Sequence, residues 1–144
     1  MNDDRRRRRR HTDIYEILVT TSVRGGGALP LDDDMTWRPA TDAYETADAF
    51  VVQMELAGMD PRAIEITVEG GALVIRGVRD EVAPPGKKHY HKMEISVGPF
   101  RRRIVLPDGV TPEAATARYQ DGFLYVIVPR GDRRPPRRRR IEIA

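Results

Sequence analysis

Residues 117–129 read ARYQDGFLYVIVP, and this run determines which kind of fold the chain can form. Asp121-Gly122 is a strong signal for a two-residue hairpin turn, because both residue types tolerate the positive φ angles that such a turn requires. In the apolar run that follows, Leu124, Val126 and Val128 alternate with their neighbours and therefore share one face of a strand. The pattern predicts a β-hairpin whose second strand lies in the core.

Short segments with the same alternation surround this hairpin in the chain. The clearest are residues 50–56, 64–68, 73–75, 100–106 and 115–119. Gly70-Gly71 is a second hairpin signal. Pro61 and Pro112 each stand where a single helical turn can begin, since proline suits the first helical position. About seven or eight short strands with little helix predict an all-β sandwich.

Two stretches depart from this strand pattern. Residues 79–98 are largely polar with a weak alternation from His89 to Met93, which indicates a long loop that contains one short exposed strand. Residues 1–36 predict an open arm, because the arginine run near its start should repel itself. Helical spacing within the arm predicts one short amphipathic turn at Ile14, Ile17 and Leu18.

The composition sets the size and class of the protein. Of its 144 residues, 40% are hydrophobic and 33% are charged, which suits one domain with a modest core. We expect a largely flexible arm at 1–39, a folded domain at 40–130 and a C-terminal extension at 131–144. There is no cysteine, hence no disulfide framework. No apolar run reaches the ~18 residues of a membrane span, and no apolar segment follows the first arginines, so we expect a cytoplasmic protein without a membrane span.

The net charge of +3 is unevenly distributed along the chain. Residues 37–130 contain 12 basic and 13 acidic residues, whereas residues 131–144 contain 6 basic and 2 acidic ones. The arginine runs at 5–10 and 137–140 could neutralise phosphates, so non-specific nucleic-acid binding is the alternative function. No aromatic residues are interleaved with these runs, as base stacking would require. We interpret them as solubilising extensions, or as partners for Asp32-Asp33-Asp34 of a neighbour, and predict no specific nucleic-acid partner.

Common catalytic motifs are absent from the sequence. It has no G-x-S-x-G, no P-loop, no H-E-x-x-H and no cysteine nucleophile. His89 and His91 could share one face of a strand, but two histidines rarely suffice for a metal and no third ligand is apparent. We predict that the protein is not an enzyme and binds neither a metal nor a cofactor.

The last four residues, Ile141-Glu142-Ile143-Ala144, form an alternating, strand-like segment behind Pro135-Pro136 and four arginines. Such a segment suits the addition of a short strand to an exposed sheet edge, and the two prolines keep its approach extended. The tail therefore predicts binding to another protein, most simply another copy of this chain. The alternative is a frayed terminus that binds nothing.

Four segments together resemble the small heat-shock protein family, whose shared unit is the α-crystallin domain. They are residues 43–59, residues 98–107 (GPFRRRIVLP), residues 117–124, which fit the signature A-x-x-x-n-G-v-L, and Ile141-Glu142-Ile143, which fits the motif I-x-I/V. In this order and spacing the match is specific, and it covers roughly residues 40–130 plus the tail. The resemblance implies an immunoglobulin-like β-sandwich as the fold. It also implies ATP-independent binding of partly unfolded client proteins, which prevents their aggregation, by a dynamic oligomer of dimers.

The resemblance also implies two contact surfaces between chains. A crossing strand at residues 88–93 would pair with residues 41–45 of a partner, and Ile141 and Ile143 would dock between two edge strands of a neighbouring dimer. The implied dimer-interface residues are Thr41, Asp42, Tyr44, His89, Tyr90, His91, Met93 and Arg102. The implied docking groove consists of Ile64, Ile66, Val68, Ala115, Ala117 and Tyr119.

Two further expectations concern individual side chains. Arg102 alternates with Phe100 and Ile104 on one side of a strand, so an inward guanidinium there would need carboxylates. The resemblance places Arg102 at the dimer interface, and the alternative is an exposed head group on a packed aliphatic stem. Exposed apolar residues of the arm are candidates for client binding, the alternative being packing between subunits alone. They are Ile14, Ile17, Leu18, Val19, Met35 and Trp37.

Overall fold

Two β-sheets packed face to face make up the computed structural model, which describes residues 15–17, 19–21, 37–81 and 83–131. Within these ranges the strands are β1 (Tyr15–Ile17), β2 (Val19–Thr21), β3 (Thr41–Glu45), β4 (Ala49–Glu55), β5 (Ile64–Glu69), β6 (Ala72–Arg79), β7 (Gly98–Val105), β8 (Thr116–Gln120) and β9 (Phe123–Pro129). One sheet has the order β1-β8-β9-β4-β3, and the other has the order β2-β5-β6-β7. The prediction of an all-β sandwich is therefore confirmed.

The core lies between the two sheets and consists of the residues that alternate inward along each strand. In β9 these are Leu124, Val126 and Val128, all fully buried, as their spacing predicts. Val52 and Met54 of β4 stand directly opposite Val126 and Leu124 in the antiparallel ladder. Apolar burial of this kind contributes about 1.5–3 kcal/mol for each fully buried large side chain. The period-2 pattern of the sequence thus fixes which face of each strand is inside.

The hairpin between β8 and β9 turns at two residues with positive φ, Asp121 at 52° and Gly122 at 83°. This is the backbone of a two-residue hairpin with both central residues left-handed. The turn is also packed: the carbonyl of Gly122 accepts a hydrogen bond from the Leu56 amide at 2.8 Å. A Cβ on Gly122 would lie 3.1 Å from both Cα and Cβ of Ala57. Glycine is therefore required here by conformation and by contact.

Both predicted single turns are confirmed as 3-10 helices, at Pro61–Ala63 and Pro112–Ala114. Proline stands at the start of each, as the sequence indicates. The first is also capped, because the Asp60 side chain accepts a hydrogen bond from the Arg62 amide at 2.9 Å. These turns lead directly into β5 and close to β8, so they set the start of the two strands that face the arm.

The prediction of a helical turn within the arm is wrong. Residues 15–17 and 19–21 are two short strands, β1 paired with β8 and β2 paired with β5. A run of apolar residues this short fits either period, and the open sheet edges of β5 and β8 offer backbone hydrogen bonds that an isolated turn cannot match. Ile14 and Leu18, which belonged to the same prediction, lie outside the described residues.

The long loop between β6 and β7 is present as predicted, but the short strand within it is not. Its described residues, 80–81 and 83–97, contain no strand. A strand needs a neighbouring strand for its backbone hydrogen bonds. The neighbour that the resemblance implies for this loop is the β3 strand of a second chain. The described loop residues up to Ser96 are exposed.

Candidate functional site

An apolar groove runs between the edges of β5 and β8, which belong to opposite sheets. Its walls are the inward residues of the two strands, Ile64, Ile66 and Val68 on β5 and Ala117 and Tyr119 on β8, and all five are buried. Ala115, just before β8, is partly buried against the same core. The structure therefore brings all six predicted groove residues together on one side of the sandwich.

Tyr119 fixes one wall of this groove through its hydroxyl group. The hydroxyl donates a hydrogen bond of 2.8 Å to the carbonyl of Leu56, and the pair is buried. Burial raises the pKa of Tyr119 above its ordinary value, so the hydroxyl keeps the proton that it donates. The ring is held in one position, which keeps the groove preformed.

The groove is occupied in this structure by the arm of the same chain. β1 lies along β8 with Ile17 opposite Ala117, and β2 lies along β5 with Val19 opposite Ile66. Ile17 and Val19 are partly buried and pack against the core. Sequence reasoning assigned these two residues to client binding and missed this contact, although Ile17-x-Val19 itself fits the motif I-x-I/V.

A second surface is the outer edge of β3. This strand is the last of its sheet, so no other strand of the described residues pairs with that edge. The predicted interface residues Asp42 and Tyr44 are exposed on it, Tyr44 by 43%, and Thr41 is half-buried. An unpaired edge presents backbone donors and acceptors that a strand from another chain can use.

Both ends of β3 are tied to the sandwich by arginines. Arg102 Nη1 donates to the carbonyl of Pro39 at 2.9 Å, where the Thr41 hydroxyl also donates at 2.9 Å. At the other end, Arg130 Nη2 lies 2.9 Å from Glu45 Oε1. Arg102 thus has a backbone carbonyl as its partner within the subunit, where sequence reasoning expected carboxylates. Its partner Pro39 lies two residues before β3, the strand whose outer edge the predicted interface uses.

The predicted interface residues of the loop are exposed side by side. Tyr90 is 50% and Met93 65% exposed, and the rings of His89 and His91 meet edge to face with centroids 5.6 Å apart. Tyr90 donates its hydroxyl proton to the Glu81 carboxylate, and this hydrogen bond raises the pKa of the tyrosine. The loop therefore carries large apolar groups in water, which is typical of a surface that another chain covers.

The expectation that Trp37 is an exposed client-binding residue is wrong. The side chain is buried, its ring meets Phe100 edge to face at 5.4 Å, and its indole N–H donates to the carbonyl of Gly98 at 2.8 Å. The guanidinium carbon of Arg79 lies over the Trp37 ring, 4.0 Å from its centroid. Buried in this way, Trp37 anchors the start of the domain, because its contacts join it to residues of β6 and β7 that are far along the chain.

Arg79 makes contacts that sequence reasoning did not predict. Besides covering Trp37, it donates two hydrogen bonds, of 2.8 and 2.6 Å, to the carbonyl of Ser96. It therefore holds the end of the loop against the beginning of the domain. A cleft of about 790 Å³ opens beside it, lined by Trp37 and by the loop residues Tyr90, Met93 and Ile95 among others. Nothing in the sequence around Arg79 distinguishes it from a surface arginine.

Several predicted residues lie outside the described ranges: Ile14, Leu18, Met35, Ile141 and Ile143. Among the residues that are described, no group of three or more histidine or acidic side chains could hold a metal ion. None of them forms a helix with the length and hydrophobicity that a membrane crossing needs.

Comparison with known proteins identifies the family of the chain. The profile of the Hsp20/alpha crystallin family matches residues 42–144. The chain belongs to this family. Small heat shock protein C2 of Rickettsia felis is 31% identical over 105 residues, which are 73% of this chain and 67% of that protein. The 18 kDa heat shock protein of Streptomyces albus G is 35% identical over 115 residues, with 75% of this chain and 77% of that protein covered.

Solved structures lead to the same family. A small heat-shock protein from Xylella fastidiosa, whose crystal structure is described as having a distinct high order structure, matches with a TM-score of 0.63 and 32% identity. The match covers 76% of this chain and 98% of that one. Proteins of this family are chaperones that act without ATP; they form oligomers and bind client proteins. The resemblance drawn from the four sequence segments is therefore confirmed.

Proposed function

We propose that this protein is a holdase, which binds partly unfolded client proteins without ATP and prevents their aggregation. The observation that carries the proposal is the apolar groove between β5 and β8, which accepts an extended segment along both of its edges. A groove that binds extended apolar chain is suited to unfolded polypeptide, in which such segments are exposed. The apolar arm residues Ile14, Ile17, Leu18, Val19 and Met35 would supply further client contacts when the arm is released.

The working unit is proposed to be a dimer. The exposed loop residues 88–93 would form a strand on the outer edge of β3 of a partner, where Asp42 and Tyr44 stand exposed. This pairing would cover Tyr90 and Met93 and supply the hydrogen-bonding neighbour that the loop lacks within one subunit. The exchanged loop explains why large apolar side chains project from a polar segment.

Dimers would join into larger assemblies through the tail. Ile141 and Ile143 have the side-chain spacing that the groove accepts, and burying both yields about 3–6 kcal/mol before ordering costs. One such contact is weak, whereas several across an assembly act together, and each can still open. This organisation uses residues 40–130 as the folded unit, with 1–39 as arm and 131–144 as docking extension. We place the protein in the cytoplasm.

The proposal is tested by the native mass and the chaperone activity of the full chain. We expect the intact protein to form assemblies larger than dimers and to suppress the light scattering of a heated client without nucleotide. A variant that ends at Arg140 should fall to dimers. Glu142→Ser, which keeps both isoleucines, is the matched control and should assemble normally. A monomeric full chain that leaves the client to aggregate would contradict the proposal.

The arginine runs provide a separate check, since 12 basic and 13 acidic residues at 37–130 give the domain no excess positive charge. Any binding of random-sequence duplex should then depend on the runs and fade steeply with salt. Tight binding of the duplex at 200 mM salt, in the same preparation, would favour a nucleic-acid function instead.

A further inference from the structure

The arm strands β1 and β2 together cover the edges of β8 and β5, one edge of each sheet. Along β8 the arm is antiparallel, with Ile17 opposite Ala117, and along β5 it is parallel, with Val19 opposite Ile66. The chain thus passes from the edge of one sheet to the edge of the other between these two residues. Both side chains are partly buried and pack against the core of the sandwich.

The tail carries the same arrangement of side chains. Ile141 and Ile143 are β-branched apolar residues separated by one position, as are Ile17 and Val19. Two segments of this kind need the same backbone groups of β5 and β8 and the same apolar space between Ala117 and Ile66. One groove cannot hold both, because the ladder positions on each edge accept one strand.

We propose that residues 15–21 are a plug that competes with the tail of a neighbouring chain for this groove. The inference rests on the proposed docking of the tail. A tail can then enter only a subunit whose arm has left the groove, and its apparent affinity falls by the fraction of subunits that are open. Assembly of dimers is thereby limited by the release of each subunit's own arm.

The competition is strong because the plug is tethered to the groove. Fifteen residues of sequence lie between Thr21 and Trp37, and Trp37 is fixed by its contacts with Phe100 and Gly98. A segment on so short a connection returns to its site as though present at about millimolar concentration. A free tail displaces the plug only if its own concentration, weighted by its affinity for the groove, exceeds that of the tethered plug. A tail can also gain this advantage as one of several tails on the same assembly.

Release of the plug has a second consequence, for client binding. Ile17 and Val19 leave a partly buried position when the arm leaves, and they become available to bind apolar segments of other proteins. Docking of a tail and binding of a client to the arm then favour each other, since both require the open subunit. Such coupling is reciprocal, so a client should increase tail docking as much as tail docking increases client binding.

A disulfide can lock the plug in place, because the chain contains no cysteine of its own. Ile17 and Ala117 are directly opposite in an antiparallel pair, a position compatible with a disulfide. The test uses the full chain with Ile17→Cys and Ala117→Cys, and with Ile141→Ser and Ile143→Ser so that its own tail does not compete. The matched control pairs Ile17→Cys with Arg118→Cys, whose side chain is exposed on the opposite face of β8 and should not crosslink.

The probe is a fluorescent synthetic peptide of residues 135–144, and its binding is followed by anisotropy at 200 mM salt. We expect a disulfide within one chain, and peptide binding about tenfold or more weaker in the oxidised protein than in the same protein after reduction. A control peptide with serine at both isoleucine positions should not bind either form. Neither measurement involves a client.

Each other result overturns the inference in a recognisable way. Absence of the disulfide, or a disulfide that joins two chains, would show that the arm does not plug its own groove. Equal peptide binding before and after reduction would contradict the competition between arm and tail. If both forms bind the peptide, the proposed docking of the tail is retained without the plug. If neither form binds it, the proposed docking of the tail is contradicted as well.

Discussion

Replacing Gly122 by alanine should lower the free energy of unfolding by more than the positive φ of this residue alone explains. The residue has φ = 83°, and an alanine in the left-handed region costs about 1–2 kcal/mol. The added Cβ would also lie 3.1 Å from the Cα and Cβ of Ala57, atoms that cannot rotate away. Overpacking of this kind adds about 1–3 kcal/mol. We expect Gly122→Ala to lower the free energy of unfolding by about 2–4 kcal/mol, after a small gain from the stiffer unfolded chain.

Gly71→Ala is the matched control for this measurement. Gly71 occupies the equivalent position of the other two-residue hairpin turn, with φ = 74°, but a Cβ there meets no atom within 4 Å. It should lose only the conformational part, about 0.5–1.5 kcal/mol. Urea unfolding at one fixed protein concentration measures both variants. Losses that agree within about 0.5 kcal/mol would refute the role given to the contact with Ala57.

Three other substitutions examine separate parts of the structure. Tyr119→Phe removes a buried hydrogen bond and should cost about 1–2 kcal/mol in urea unfolding, whereas an unchanged midpoint would mean that the hydroxyl does not stabilise the groove. Arg79→Gln should speed amide exchange at the end of the loop and shift the emission of Trp37, the single tryptophan, to the red; unchanged exchange would contradict the anchoring role. The hydrogen bond from Arg76 holds the pKa of Glu65 below its ordinary value of 4.5, so the stability that this pair provides is present above pH 4.5 and lost as the pH falls through the lowered pKa. Glu65→Gln should flatten that part of the acid unfolding curve, and an identical curve would show that the pair contributes nothing.

Much of the sandwich could be predicted because its strands carry their own pattern. The alternation at Leu124, Val126 and Val128 predicts that these side chains are buried, independently of the rest of the chain. Asp121-Gly122 fixes the turn before them. The single turns at Pro61 and Pro112 follow from the restricted φ of proline in the same local way. Features set by a few neighbouring residues are the ones that a single sequence reveals.

The parts that were missed depend on contacts between distant residues. Trp37 reads as an exposed residue of a polar arm, and only Phe100 and Arg79, brought beside it by folding, make it an anchor. The arm at Ile17 and Val19 has an ambiguous period, so the edges of β5 and β8 decide its conformation. The resemblance named six residues for a groove, and the structure places these six on one side of the sandwich, because a family pattern contains long-range information that a local pattern lacks.

The arginine ties at the two ends of β3 bear on how quickly partners can be exchanged. With Pro39 held by Arg102 and Glu45 held by Arg130, the acceptor strand is fixed at both ends before any second chain arrives. On association, almost all of the conformational entropy is then lost by the incoming loop, because the strand is already ordered. Stiffening or loosening that loop, for example at Pro84-Pro85-Gly86, should therefore tune the lifetime of a pair while leaving the sandwich itself unaltered.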